Sequence, residues 1–131
     1  MLEFIFDQAK GRLHVKYTGF WTEAESRSSL DEFKTYTKNV VAKYGTFTLL
    51  DDMSQWVPQQ AAVVESNTGF GYICMELPIV RNAIIIPSAL IRRQVIRTVQ
   101  AEQCGIYEEY AAADAWLGEV EPVHGMPAAR R

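Results

Sequence analysis

The sequence predicts an α/β domain built on one open, mostly parallel five-stranded sheet, in the order β-β-α-β-α-β-α-β-α. Three observations carry that expectation. Two segments of alternating apolar and polar residues open the chain and are joined by the short Lys10-Gly11 turn. Beyond them, stretches with helical spacing alternate with short apolar runs, the pattern of strand–helix–strand units. One of those runs, Asn82 to Ile86, is apolar nearly throughout, as in a strand covered on both faces.

Each element has its own local signal. Leu2, Phe4 and Phe6 alternate with Glu3, Ile5 and Asp7 in a first strand, and Leu13, Val15 and Tyr17 alternate with Arg12, His14 and Lys16 in a second. Thr22 and Glu25 form a capping box for a long first helix, whose inward face carries Leu30, Phe33, Val40, Val41 and Tyr44. Gly45 stops that helix. Thr46 to Leu50 make a third strand that ends in Asp51-Asp52-Met53-Ser54.

Pro58 suits the first turn of a second helix running through Ala61, Ala62 and Val64. Gly69 and Gly71 follow it as a kink or a point of close packing. Pro78 marks a break before the fourth strand. Ser88 caps a third helix with Ile91, Val95 and Val99 inward, which Gly105 ends. Ile106 to Tyr110 form a fifth strand. Ala111 to Leu117 form a last helix, with Trp116 and Leu117 anchoring it on the sheet. The domain is thus expected over residues 1–118, with 119–131 as a loose C-terminal tail.

The bulk numbers exclude several classes. With 131 residues, 48% hydrophobic and 22% charged, the chain is a single globular domain rather than a disordered, collagenous or coiled-coil one. A formal net charge of -3 argues against a nucleic-acid partner. Cys74 and Cys104 form no C-x-x-C pair, so two buried thiols in a reducing cytosol are expected, with no metal and no cofactor. The N-terminus lacks the basic region of a signal peptide, and Ala83 to Ile86 is too short an apolar run to span a bilayer. A cytoplasmic protein without a transmembrane segment is the expectation. A homodimer is an open arrangement for so small a domain.

Catalytic motifs are missing. His14 lies mid-strand and His124 in the tail, neither at a recognisable spacing from a nucleophile or acid. Asp51 and Asp52 are adjacent on a strand, so their side chains diverge to opposite faces and cannot share a metal. In open α/β sheets, ligands bind outside the carboxyl ends of the parallel strands. Here those ends supply the candidate binding residues Trp21, Met53, Ser54, Trp56, Ser88, Arg92 and Arg93. Either Trp21, Met53 and Trp56 line an apolar crevice, or they close the top of the core. Arg92 and Arg93 early in a helix oppose its dipole. They form a solvated face, pair with Asp51 or Asp52, or bind an anion.

Several strings in order resemble the SpoIIAA-like family, which is grouped with STAS domains and related to the CRAL-TRIO lipid-binding fold. They are Thr18-Gly19-Phe20-Trp21-Thr22, Leu49-Leu50-Asp51-Asp52-Met53, the Arg81-to-Ile86 strand with Arg92-Arg93-Gln94-Val95, and Ala112-Ala113-Asp114-Ala115-Trp116-Leu117. The resemblance implies a non-enzymatic binding or regulatory module. It would recognise a protein partner, or a small apolar or anionic, lipid-like ligand, at the carboxyl end of the sheet. Its alternative is a phospho-switch of the anti-sigma-antagonist type at Ser54, set at a helix N-terminus. The family's serine stands in an Asp-Ser-Ser-Gly-Leu-like context, which Asp52-Met53-Ser54-Gln55 does not reproduce.

Overall fold

The computed structural model describes residues 1–97 and 104–120. Strands β1 (Leu2–Asp7) and β2 (Arg12–Tyr17) form an antiparallel hairpin in which Phe4 faces Val15 and Phe6 faces Leu13. Gly11, at φ 61°, takes the left-handed conformation that the turn needs. Helix α1 (Glu23–Tyr44) starts at the predicted capping box: the Thr22 hydroxyl accepts from the Glu25 amide at 3.1 Å, and Glu25 Oε1 accepts from the Thr22 amide at 2.8 Å. It ends at Gly45, at φ 82°. There follow β3 (Phe47–Asp52), α2 (Ala61–Ser66), α3 (Thr68–Met75), β4 (Ile79–Ile85), α4 (Ala89–Ile96), β5 (Cys104–Tyr107) and α5 (Tyr110–Gly118).

The sheet order is β1-β2-β3-β4-β5, with every pair after the hairpin parallel. Each parallel strand is therefore added on the same side of the last. Right-handed crossovers then place all the connecting helices on one face. The main core lies there: Leu13, Val15, Leu49 and Ile84 of the sheet pack with Phe33, Val63, Ile91 and Val95 of the helices. On α1, Phe33 and Val40 are buried while Leu30, Val41 and Tyr44 are half-buried. Tyr36 and Tyr44 stack on Phe6's side of the hairpin, with centroids 4.5 Å apart for Phe4–Tyr36 and 4.3 Å for Phe6–Tyr44.

The opposite face is left to α5, whose Ala113 and Leu117 pack on Leu50, Ala83 and Ile85. The buried Arg12 reaches that helix, its Nη1 donating to Asp114 Oδ1 at 2.6 Å. Toward β1 and β2 this face opens to solvent, where His14 and Lys16 are half-buried and Ile5 is 67% exposed.

Several expectations need correction. Pro58 is not in a helix: it follows Trp56, which bridges to Gly19, and a residue preceding proline favours extended backbone, so α2 starts only at Ala61 with Gln60 as its N-cap. The single second helix is two, α2 and α3, meeting at Asn67. Gly69 and Gly71 lie inside α3. A Cβ on Gly69 would approach Leu30 Cδ2 at 3.1 Å, so close packing against α1 is its role. The fourth strand starts earlier than expected, at Ile79, and the third runs on through Asp52. α4 ends at Ile96, and Val99 lies outside the described residues.

Gly105 ends no helix. It sits in β5, where a Cβ would come within 2.9 Å of Tyr107 Cε2 and 3.1 Å of Trp116 Cζ3. β5 closes at Tyr107, and Tyr110 opens α5 rather than ending a strand. Of the predicted tail, Glu119 is fixed by an ion pair with Arg81 at 2.9 Å, and residues 121–131 and His124 lie outside the described residues. Cys74 and Cys104 are in no disulfide among the described residues, and both are half-buried rather than buried.

The Gly105 packing makes a prediction. Gly105→Val forces Tyr107 and Trp116 apart and should cost about 1–3 kcal/mol, the usual range for overpacking. Urea unfolding measures it, and an unchanged midpoint would show that the Trp116 ring has room to move.

Candidate functional site

At the carboxyl end of the sheet three segments come together: the turn after β2, the loop after β3 and the start of α4. Gly19, at φ 90°, turns the chain so that Trp21 points inward. The Trp21 indole N–H donates to the Thr18 carbonyl at 2.8 Å, and its amide donates to Gln59 Oε1 at 2.8 Å. Gln59 Nε2 donates to the carbonyls of Gly19 at 2.9 Å and Val57 at 2.7 Å. On its other side, the Gln59 amide donates to Gln94 Oε1 at 2.9 Å, and Gln94 Nε2 returns a bond to the Gln59 carbonyl at 2.8 Å. A parallel bridge between Gly19 and Trp56 completes the tie.

Trp21, Met53 and Trp56 are all buried. Trp56 lies 5.0 Å from Trp21 and 5.1 Å from Tyr17, centroid to centroid. Trp21 closes the top of the core. Met53 and Trp56, with Tyr17, Gln59, Phe70 and Gln94, line a cavity of about 30 Å³. That is room for a water or two, since one water needs roughly 10–15 Å³ on such a measure. The Trp56 indole N–H, in a residue only 8% exposed, has no hydrogen-bond partner among the described residues.

Below this layer lies Asp51. The Tyr17 hydroxyl donates to its Oδ1 at 3.1 Å and Asn82 Nδ2 donates to its Oδ2 at 3.0 Å. Burial raises its pKa to about 6, against the pull of those two donors. The same burial pushes the Tyr17 hydroxyl and the Cys74 thiol up. Asp51 and Asp52 do point to opposite faces, Asp52 joining His14 and Lys16 on the open one. The expected pairing of Arg92 with either aspartate does not occur: Asp51 is enclosed with Tyr17 and Asn82, and Arg92 is exposed in no ion pair among the described residues.

The remaining site residues are on the rim. Ser88 caps α4, its hydroxyl accepting from the Ile91 amide at 3.3 Å. Arg93, like Arg92, is exposed, but α4 is so short that Arg93 falls in its last turn, where a cation suits the helix dipole instead of opposing it as expected. Ser54 is exposed, its amide donating to Asp52 Oδ1 at 2.9 Å. It stands well ahead of α2 and not at a helix N-terminus as expected, because the chain only turns at Ser54–Gln55 and then runs on without helix to Gln60. Three exposed apolar residues on this rim were not anticipated: Phe20 at 61%, Val57 at 41% and Leu90 at 52%. Gln59 and Gln94 were missed too. A glutamine carries no periodic signal, and its partners here lie far away in sequence. Phe20, beside Trp21, was the one visible clue.

No family model matches the chain, and no curated protein matches it. Solved structures do. An anti-sigma factor antagonist from Mycobacterium paratuberculosis aligns with a TM-score of 0.61 at 13% identity, over 89% of this chain and 94% of that one. An uncharacterised DUF3478-family protein with a SpoIIAA-like fold, from Shewanella loihica, gives 0.61 at 16% identity, over 89% and 92%. The anti-sigma factor antagonist SpoIIAA in its unphosphorylated form gives 0.58 at 11% identity, over 92% and 100%.

The chain has the SpoIIAA-like fold. In this SpoIIAA-like chain no helix among the described residues is long and apolar enough to cross a membrane, and no group of three or more acid, histidine or cysteine side chains among them could hold a metal. The rim offers apolar and cationic contact on a fixed frame.

The Asp51 shift fixes a pH dependence. Its folded pKa, about 6, lies above the ordinary 3.8, so the folded state holds the proton more tightly. Its contribution is full below pH 3.8 and is lost as pH rises through 6. About two pKa units correspond to about 3 kcal/mol. His14, whose pKa burial lowers, works oppositely in the same range. The stability difference between wild type and Asp51→Asn therefore isolates Asp51. Measured by urea unfolding, it should move by about 3 kcal/mol in favour of the variant between pH 3.5 and 7; a constant difference would contradict the assignment.

Proposed function

We propose that the chain is a non-catalytic regulatory module that docks a partner protein on the rim at the carboxyl end of its sheet. The observation that carries the reading is the exposure of Phe20 and Val57, each directly following a residue of the Gly19–Trp56 bridge. Large apolar side chains held out to solvent on a rigid frame are a mark of an interaction surface. Ser54, Ser88, Arg92 and Arg93 stand on the same rim and supply its polar contacts, while Trp21, Met53 and Trp56 hold it from beneath. The likeness to two anti-sigma factor antagonists supports a partner that is itself a protein.

Affinity capture from the native cell tests this. Wild type should retain a protein at fixed stoichiometry, and Phe20→Ser/Val57→Ser should reduce it at least fivefold while keeping its circular dichroism spectrum. Equal capture by both proteins would sink the reading.

One observation favours a small-molecule ligand as a second reading: the unpartnered Trp56 N–H in the wall of the cavity. A small, mostly apolar molecule with one acceptor atom would satisfy it, with Met53 moving aside, as flexible thioethers do. Native mass spectrometry of protein purified without unfolding should then show a retained mass that Trp56→Phe releases. A bare chain in both cases would remove this reading.

A further inference from the structure

α4 and its C-cap Arg97 place Leu90, Arg93, Gln94 and Arg97 at the i, i+3, i+4, i+7 spacing that shares one helix face. That face does not close on α2. It forms one wall of a groove of about 250 Å³, and Ala61 and Val64 form the other. The groove is built firmly, because Gln94 is bonded twice to the backbone of Gln59 in the loop that enters α2.

Two features of the groove conflict with an empty, solvated face. Leu90 is 52% exposed at its mouth. Arg93 and Arg97 stand four residues apart, where like charges repel, and among the described residues neither is in an ion pair. A groove lined by Ala61, Val64 and Leu90 beside two adjacent guanidiniums is complementary to carboxylates flanking an apolar side chain. Arginine binds carboxylates through two parallel N–H donors, which sets direction as well as affinity.

We propose that the groove between α2 and α4 docks an acidic segment of the partner protein, with an apolar residue against Leu90 and Val64 and carboxylates on Arg93 and Arg97. The inference rests on the reading of the chain as a protein-docking module and names the chemistry of the partner. A nucleic acid fits less well: the chain's net charge is -3, and the Ala61, Val64 and Leu90 side chains offer nothing to a phosphate backbone. A second copy of the chain would have to bring one of its own acidic surfaces, such as Asp31 and Glu32 of α1, into the groove, a head-to-tail contact that need not close.

Photo-crosslinking in the native cell tests the proposal with the full chain, using benzoylphenylalanine at position 90 or at position 20. The position-90 protein should crosslink to a partner peptide rich in Asp or Glu beside an apolar residue. Arg93→Glu/Arg97→Glu should reduce that crosslink at least tenfold, and Arg93→Lys/Arg97→Lys should retain most of it. Both pairs are exposed, and unfolding midpoints check that they fold. Crosslinks to a neutral or basic peptide, to nucleic acid or to a second copy of the chain would overturn the groove assignment. So would a partner caught at position 20 and undiminished by charge reversal, which leaves the docking function standing. Loss of partner capture at both positions would overturn the groove and the docking function together.

Discussion

The turn after β2, the loop after β3 and helix α4 meet at one buried residue, Gln59, its side chain bonded to the turn and its backbone to Gln94 of α4, and the shape of the carboxyl end depends on it. None of these segments can hold itself. The turn is left-handed at Gly19, and the loop stays extended through Pro58 to Gln60 with no helix to stiffen it. The Gln59 side chain satisfies backbone groups of the turn, at Gly19 and Trp21, and of its own loop, at Val57; a buried group left without a partner costs about 1–3 kcal/mol. Gln94 holds Gln59 in return, so the tie reaches α4 and the wall of the groove.

Beneath the tie, the layer of Tyr17, Trp21, Trp56 and Phe70 is apolar, yet it rests on a carboxyl group. Among the described residues Asp51 is enclosed with Tyr17 and Asn82 as its donors, and its raised pKa marks an enclosure that disfavours its charge. A buried acid beneath an exposed apolar rim is a poor arrangement for stability alone. The frame therefore carries two features, at Asp51 and at Phe20 and Val57, that folding does not need. The opposite end of the sheet shows no such combination: there Arg12 is held by Asp114, and Trp116 lies over Gly105 with Arg81 4.5 Å above its ring.

How much of this was legible depended on the range of the signal. The hairpin, α1 with both of its caps, and the doubly covered β4 follow from periodicity and from residues a few positions apart, and the sequence read them correctly. The SpoIIAA-like fold was legible for the same reason, since its order of elements is a local pattern repeated. What was lost is set at long range. Gly105 read as a helix stop because glycine usually is one, while its reason for being there is the Trp116 ring. Pro58 read as a helix start because the bridge from Trp56 to Gly19 was invisible. Trp21 and Trp56 were placed at the right end of the sheet, but only packing decides that they support the rim from within. The rim's exposed apolar residues were passed over because an isolated Phe or Leu in a sequence says nothing of its exposure.

Hydrogen exchange on the full chain, alone and bound to the protein it retains in its native cell, tests the central claim most directly. The account predicts that binding slows exchange in residues 18–21, 54–60 and 89–97 and leaves β1 and the middle of α1 unchanged. Protection confined to β1, α1 or the open face at His14 and Lys16 would contradict it.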